Sequence, residues 1–94
     1  MQFEWDKKKA ESNLTKHSVS FEEASSVFDD RLARILYDQE HSIYEEREVI
    51  VGHSIINRLL VVSFAEKVDG HVRIISARLA TKKEHNRYEE KTNF

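Results

Sequence analysis

Leu59-Leu60-Val61-Val62-Ser63-Phe64-Ala65-Glu66-Lys67-Val68-Asp69-Gly70-His71-Val72-Arg73-Ile74-Ile75-Ser76-Ala77-Arg78 is the stretch that decides the fold. Two runs rich in branched residues flank Asp69-Gly70. Both central positions of a type I′ turn need positive φ, and an Asp-Gly pair tolerates it. The runs therefore read as neighbouring antiparallel strands, Leu59 to Lys67 and Val72 to Arg78. Leu59-Leu60-Val61-Val62 is apolar on both parities, so the first of them is expected to be central and covered on both faces.

Upstream, Leu32 to Asp38 and Arg47 to Ser54 read as two more strands, with Asn57 supplying a left-handed position in the link to Leu59. Further back, Phe3 to Trp5 is a short strand. Asp6 then caps a helix with an inner stripe of Ala10, Leu14 and His17, ending near Ser18. Ser20-Phe21-Glu22-Glu23 has the form of a capping box and opens a second helix with Phe21, Ala24, Val27 and Phe28 on its apolar face. Downstream, Thr81-Lys82-Lys83-Glu84 is another capping box, starting a last helix to about Lys91 whose main anchor is Tyr88. The order β-α-α-β-β-β-β-α predicts an α+β fold, with both early helices on one face of a curved antiparallel sheet. The other face needs a cover, either the last helix or another protein. No proline and only two glycines interrupt the 94 residues, so residues 1–94 are expected to form a single domain.

No cysteine is present, which excludes a disulfide framework and thiolate metal ligands. Histidines stand at 17, 41, 53, 71 and 85, with no pair at the two- or four-residue spacing that puts two imidazoles on one metal. Nucleophile elbow, phosphate-cradling glycine loop and zinc motif are all missing, so no metal and no cofactor are expected. The N-terminal residues lack the apolar core of a signal peptide, and the longest apolar run is far too short to span a membrane. A soluble, cytoplasmic chain with no membrane association is the expectation. Net charge is −2, which argues mildly against a nucleic-acid binder, but the charge is uneven. Residues 1–46 carry six basic and eleven acidic side chains, residues 47–94 nine and six. A basic patch in the second half is therefore possible.

Phe3-Glu4-Trp5-Asp6, Asn13 through Lys16-His17, Val19-Ser20-Phe21-Glu22-Glu23-Ala24 and Val27-Phe28-Asp29-Asp30 resemble the opening of the BrnT toxins. The likeness continues through Asp38, His41-Ser42, Glu45-Glu46-Arg47, Val51-Gly52 and Arg58-Leu59-Leu60-Val61. It ends with Arg73-Ile74-Ile75-Ser76-Ala77-Arg78, Ala80-Thr81, Glu84 and Tyr88. The resemblance implies a RelE-like fold and a metal-independent endoribonuclease that cleaves RNA through 2′-hydroxyl attack, a toxin of a type II toxin-antitoxin system. It also implies a BrnA-like ribbon-helix-helix antitoxin as partner, in a complex with two copies of each chain, which reaches operator DNA only through the antitoxin. Departures from the family pattern include Ser18 in place of a glycine, Asn57 in place of a turn glycine, Asp30-Arg31 in place of Asp-Pro, and Ala65-Glu66-Lys67 where relatives often carry an aromatic residue or arginine.

In-line attack by a 2′-hydroxyl adds negative charge to the phosphate, and preorganised guanidinium groups stabilise it. Arg47, Arg73 and Arg78 are the candidates. In a regular strand Arg73 and Arg78 face opposite sides, so only one can join Arg47; Arg78 is preferred because it precedes the last helix. Glu84 and Tyr88, four apart on that helix, share a face as proton acceptor and donor, while Glu84 also has its capping duty and Tyr88 its anchoring duty. His17, at the end of the first helix, is a further catalytic candidate. Arg73, Arg58, Lys67, Lys82 and Lys83 are candidates for tracking the RNA backbone. Trp5 and Phe64 read as core aromatics rather than base-stacking platforms. The competing reading is a non-catalytic interaction module that acts with a DNA-binding antitoxin as a transcriptional repressor.

Overall fold

The computed structural model describes residues 1–40 and 45–90. Its elements follow the expected order: β1 (Gln2–Glu4), α1 (Lys7–His17), α2 (Phe21–Ser26), β2 (Arg34–Tyr37), β3 (Glu48–His53), β4 (Leu59–Glu66), β5 (His71–Leu79) and α3 (Lys82–Glu89). Lys91, the expected end of α3, lies outside the described residues. The five strands form one sheet in the order β1-β5-β4-β3-β2. β2 to β5 are an antiparallel meander, and β4 is central.

The sheet is mixed, not antiparallel throughout: β1 runs parallel to β5, Phe3 opposite Val72. The reason is topological. α1 and α2 carry the chain across one face, so β1 and β2 end on opposite edges, and β1 enters beside the last strand in a direction no tight turn dictates.

α1 and α2 pack on the same face, as expected. Val19, Phe21, Ala24 and Val27 meet Ile50, Leu60, Val62, Phe64, Val72, Ile74 and Ala77 in the main core. Phe28, in a single 3-10 turn after α2, lays its ring against Phe3 and Phe64 at 5.1 and 4.9 Å. Trp5 meets Phe21 edge-on at 5.9 Å, so Trp5 and Phe64 are core residues. The opposite face carries a smaller cluster of Val51, Leu59, Val61 and Tyr88, and α3 is its cover.

Left-handed residues mark the links. Asp69 and Gly70, at φ 62° and 75°, make the turn between β4 and β5, and Asn57 at φ 61° serves the β3–β4 link. Ser18 ends α1 at φ 57° and donates its N–H to the Leu14 carbonyl. Gly52 permits a close approach: a Cβ there would lie 2.8 Å from the Ala33 Cβ.

The inner stripe of α1 differs from the expected one. Leu14 is 52% exposed, whereas Asn13 is buried. β1 pairs only with residues 71–73, so the later part of β5 presents an open edge. The Asn13 amide fills it as a substitute strand would. Its Nδ2 donates to the Ala77 carbonyl at 2.8 Å, and its Oδ1 accepts from the Ala77 N–H at 3.0 Å. Nδ2 also donates to the Val19 carbonyl at 2.9 Å. An apolar residue there would orphan three buried backbone groups, and that penalty outweighs the apolar burial the helix forgoes.

Asn13→Ala is expected to destabilise the fold by about 2–4 kcal/mol in urea denaturation, through those unmade hydrogen bonds. Ser18→Gly is expected to raise stability by about 0.5–1 kcal/mol in the same assay, since glycine carries no Cβ penalty in the left-handed cap.

Candidate active site

The face opposite α1 and α2 collects the second-half arginines because β5 is irregular. Ser63 opposes Ser76, but Phe64 opposes Ile74, so Ile75 is an extra residue in β5. A bulge of one residue reverses the alternation. Val72 and Ile74 before it, and Ala77 after it, all point into the main core. Arg73, opposite Ala65, and Arg78, opposite Val61, consequently lie on the same face. The expectation that they face opposite sides is corrected by this single inserted residue.

On this face a hollow of about 360 Å³ is walled by Leu36, Val49, Val51, Val61, Ser63, Ser76, Arg78, Glu84, Asp38 and His17. His17 reaches it around the open edge of β5, because the Asn13 amide holds the end of α1 against Ala77. The floor is apolar and the rim is polar. Such a hollow excludes water from below while presenting charge at its mouth.

Arg78 and Glu84 form a two-pronged pair, with Nη1 and Nη2 donating to Oε1 and Oε2 at 2.7 and 3.0 Å. Glu84 simultaneously completes the capping box of α3, accepting from the Thr81 N–H at 2.9 Å while the Thr81 hydroxyl accepts from the Glu84 N–H at 3.1 Å. The Arg78 guanidinium is the largest influence holding the Glu84 carboxyl down at about 2, against the opposing effect of burial. A carboxylate that acidic is a weak proton acceptor, so geometry and charge give Glu84 the task of fixing Arg78.

A second cationic group lies alongside. Glu45 accepts from both Lys67 and Arg73, and Arg47 adds a further positive influence. These neighbours, Lys67 foremost, hold the Glu45 carboxyl below the usual range. By strand alternation Arg47 falls on the same side as Val49 and Val51. Lys82 and Lys83 stand exposed at the start of α3.

Two expected residues sit elsewhere. Tyr88 shares a helix face with Glu84 but lies one turn on. Its hydroxyl donates to Asp30 Oδ2 at 3.1 Å and its ring meets His53 edge-on at 5.4 Å. Burial and the Asp30 carboxylate push the Tyr88 hydroxyl up to about 12. Tyr88 thereby docks α3 rather than lining the hollow. Arg58 is on the helix side of the molecule, tied to Glu23 and to the Ser18 carbonyl. The Arg58 bond to Glu23 is the first cause lowering the Glu23 carboxyl. His41 lies outside the described residues. Among those described, no three His, Asp or Glu side chains converge to hold a metal ion, and no helix is long and apolar enough to cross a membrane.

Asn13 and Asp30 are positioning residues that residue-by-residue reading passed over. Asp30 accepts from the His53 N–H at 2.7 Å, the Leu32 N–H at 2.9 Å and the Tyr88 hydroxyl, and so joins the entry to β2, the end of β3 and α3. These hydrogen bonds hold its carboxyl below the ordinary value in spite of burial, the largest single influence. Both fall in the blocks that resemble the BrnT toxins, and Asn13 is in addition a polar residue on the packed side of α1.

The chain is similar to known proteins. A family model described as "Ribonuclease toxin, BrnT, of type II toxin-antitoxin system" covers residues 5–84. Among solved structures, the 1.1 Å crystal structure of the Brucella abortus ribonuclease toxin BrnT is similar, with a TM-score of 0.69. That similarity spans 87% of this chain and 99% of that one at 20% identity, a likeness of fold. No curated protein matches the sequence.

Glu84 is expected to make stability depend on pH in a defined window. Its folded pKa lies below its ordinary 4.5, so the contribution is complete above about 4.5 and is lost as pH falls toward about 2. Urea titrations of the native chain and Glu84→Gln should differ by a constant amount from pH 5 to 8, and the two should converge as pH falls from 4.5 toward 2.

Proposed function

Since this chain belongs to the BrnT family of ribonuclease toxins of type II toxin-antitoxin systems, we propose that it is a metal-independent endoribonuclease with a RelE-like fold, working at the hollow beside Arg78. The observation that carries this reading is the convergence of Arg78, fixed by Glu84, and His17 on one apolar-floored hollow. A guanidinium held in place before the substrate arrives needs no reorganisation as charge develops on the phosphate. Arg78 takes the scissile phosphate. Arg47, Arg73 and Lys67 take the neighbouring phosphates, with Lys82 and Lys83 at the margin. His17, which lines the same hollow, moves the proton between the 2′-hydroxyl, the leaving 5′-oxygen and water. Tyr88 and Arg58 serve the scaffold.

Glu45 tempers this surface. Its carboxylate occupies Lys67 and Arg73, the place where a phosphate would bind, so RNA has to compete with it. A BrnA-like ribbon-helix-helix antitoxin, in a complex with two copies of each chain, is the proposed partner and the route to operator DNA.

Cleavage of single-stranded RNA in the presence of a chelator is the expected activity. Arg78→Ala should lower it by about 10²–10³-fold with the far-ultraviolet circular dichroism unchanged. Arg78→Lys should rescue little, because an ammonium cannot engage two oxygens in one plane. His17→Ala should lower the rate by about 10²-fold or more with the fold unchanged. Glu45→Gln should tighten RNA binding and steepen its dependence on salt, because uncovered cations release more counterions. A native protein that leaves RNA intact under these conditions, yet binds its antitoxin and represses, would establish the non-catalytic reading instead.

A further inference from the structure

β1 accompanies β5 only as far as Arg73, so beyond that point the outer edge of β5 lies beside α1 instead of beside a strand. The Asn13 amide closes that edge at Ala77. Next to it a trough of about 200 Å³ is walled by Lys9, Ser12 and Lys16 of α1 and by Ile75 and Ser76 of β5. His17 and Ser76 line both this trough and the hollow of Arg78, so the two meet at the edge of the sheet. Lys9, Ser12 and Lys16 share a face because they stand three, four and seven residues apart on a helix. The one acidic residue of α1, Glu11, falls on another face, with Lys7 and Leu14. Among the described residues no carboxylate walls the trough. Arg78, by contrast, is held by Glu84, and Lys67 and Arg73 by Glu45.

Resting on the nuclease reading above, we propose that the trough extends the substrate path: the RNA strand on one side of the scissile phosphate bends round the β5 edge past His17 and Ser76 and lies along α1, with phosphates on Lys16 and then Lys9. The two lysines are about 10 Å apart along the helix, two turns of it. That is the span of about three nucleotides at about 3.4 Å each along a stacked strand. Ser12 and Ser76 are exposed in the same trough, and their hydroxyls can donate to phosphate oxygens or accept from 2′-hydroxyls. Two lysines on one face, with no acidic wall and an opening into the hollow, form a local cationic track in a chain of net charge −2. A polyanion that displaces their counterions gains affinity there without meeting a competing carboxylate. Lys9 and Lys16 thus bind flanking nucleotides, while the chemistry stays with Arg78 and His17.

Fluorescence anisotropy of the full chain with a short single-stranded RNA, 2′-O-methylated throughout so that it cannot be cut, tests the path. Lys9→Ala/Lys16→Ala should weaken binding about tenfold and lower the slope of log K against log salt by about 1.4, two phosphates at about 0.7 each. Lys7→Ala/Lys8→Ala removes the same charge from the same helix outside the trough and should leave both close to native. With unmodified RNA, Lys9→Ala/Lys16→Ala should raise KM about tenfold and leave kcat unchanged, the mark of lost binding away from the reacting phosphate. The chain has no cysteine, so Ser12→Cys supplies a unique thiol in the trough. The methylated RNA should slow its alkylation and leave that of Lys8→Cys unaffected. Native binding by Lys9→Ala/Lys16→Ala, equal losses from both lysine pairs, or alkylation at Ser12→Cys indifferent to RNA would each overturn the path while leaving the nuclease reading in place. A native chain that cleaves no RNA fails the reading on which the path rests, and that result shows without any variant.

Discussion

The Asn13 amide against Ala77 is the contact on which the rest of the architecture depends. The sheet leaves the second half of β5 without a neighbouring strand, and a buried edge with unmet backbone groups would cost several kcal/mol. One side chain closes it, taking both the N–H and the carbonyl of Ala77 and also the Val19 carbonyl where the chain turns from α1 to α2. The first helix is thereby fixed in height and rotation against β5. Val19 and Phe21 are delivered to the core, and His17 to the rim of the hollow. Ser18 takes the left-handed conformation because the chain has to reverse at this point, within two residues of a fixed helix end.

The opposite face is organised by charge rather than by packing. The inserted Ile75 brings Arg73 and Arg78 to one side, and each is met by a carboxylate, Glu45 or Glu84. These pairs are partly exposed, so their net contribution to stability is modest. Their value is geometric. Held by both oxygens of Glu84, the Arg78 guanidinium keeps a fixed orientation. Glu84 does this while capping α3, so a single carboxylate links the helix start to the candidate catalytic arginine.

α3 is the element with the least packing to hold it. Tyr88 is its buried residue, and the tie from its hydroxyl to Asp30, together with the Glu84 pair, supplies much of the remainder. Helices held by so few contacts sit at the low-stability end of a protein and open first. Its cover over Val51, Leu59 and Val61 is accordingly the part of the core most easily uncovered.

What could be read from the sequence was local or repetitive. Asp69-Gly70, Asn57, the Ser20 and Thr81 caps and the doubly apolar β4 each follow from a few neighbouring residues, and each appears in the structure. Blocks spread from Phe3 to Tyr88 carry the likeness to the BrnT family, whose model covers residues 5–84. Tertiary structure alone decided three matters. β1 joined β5 in parallel because the direction of a strand reached by a long crossover is set by packing, not by a turn. Arg73 and Arg78 shared a face because a bulge arises from pairing between strands and leaves no mark in the alternation of one strand. Tyr88 and Arg58 received their partners, Asp30 and Glu23, from contacts distant in sequence, where side-chain spacing says which face a residue occupies but not what it will meet there.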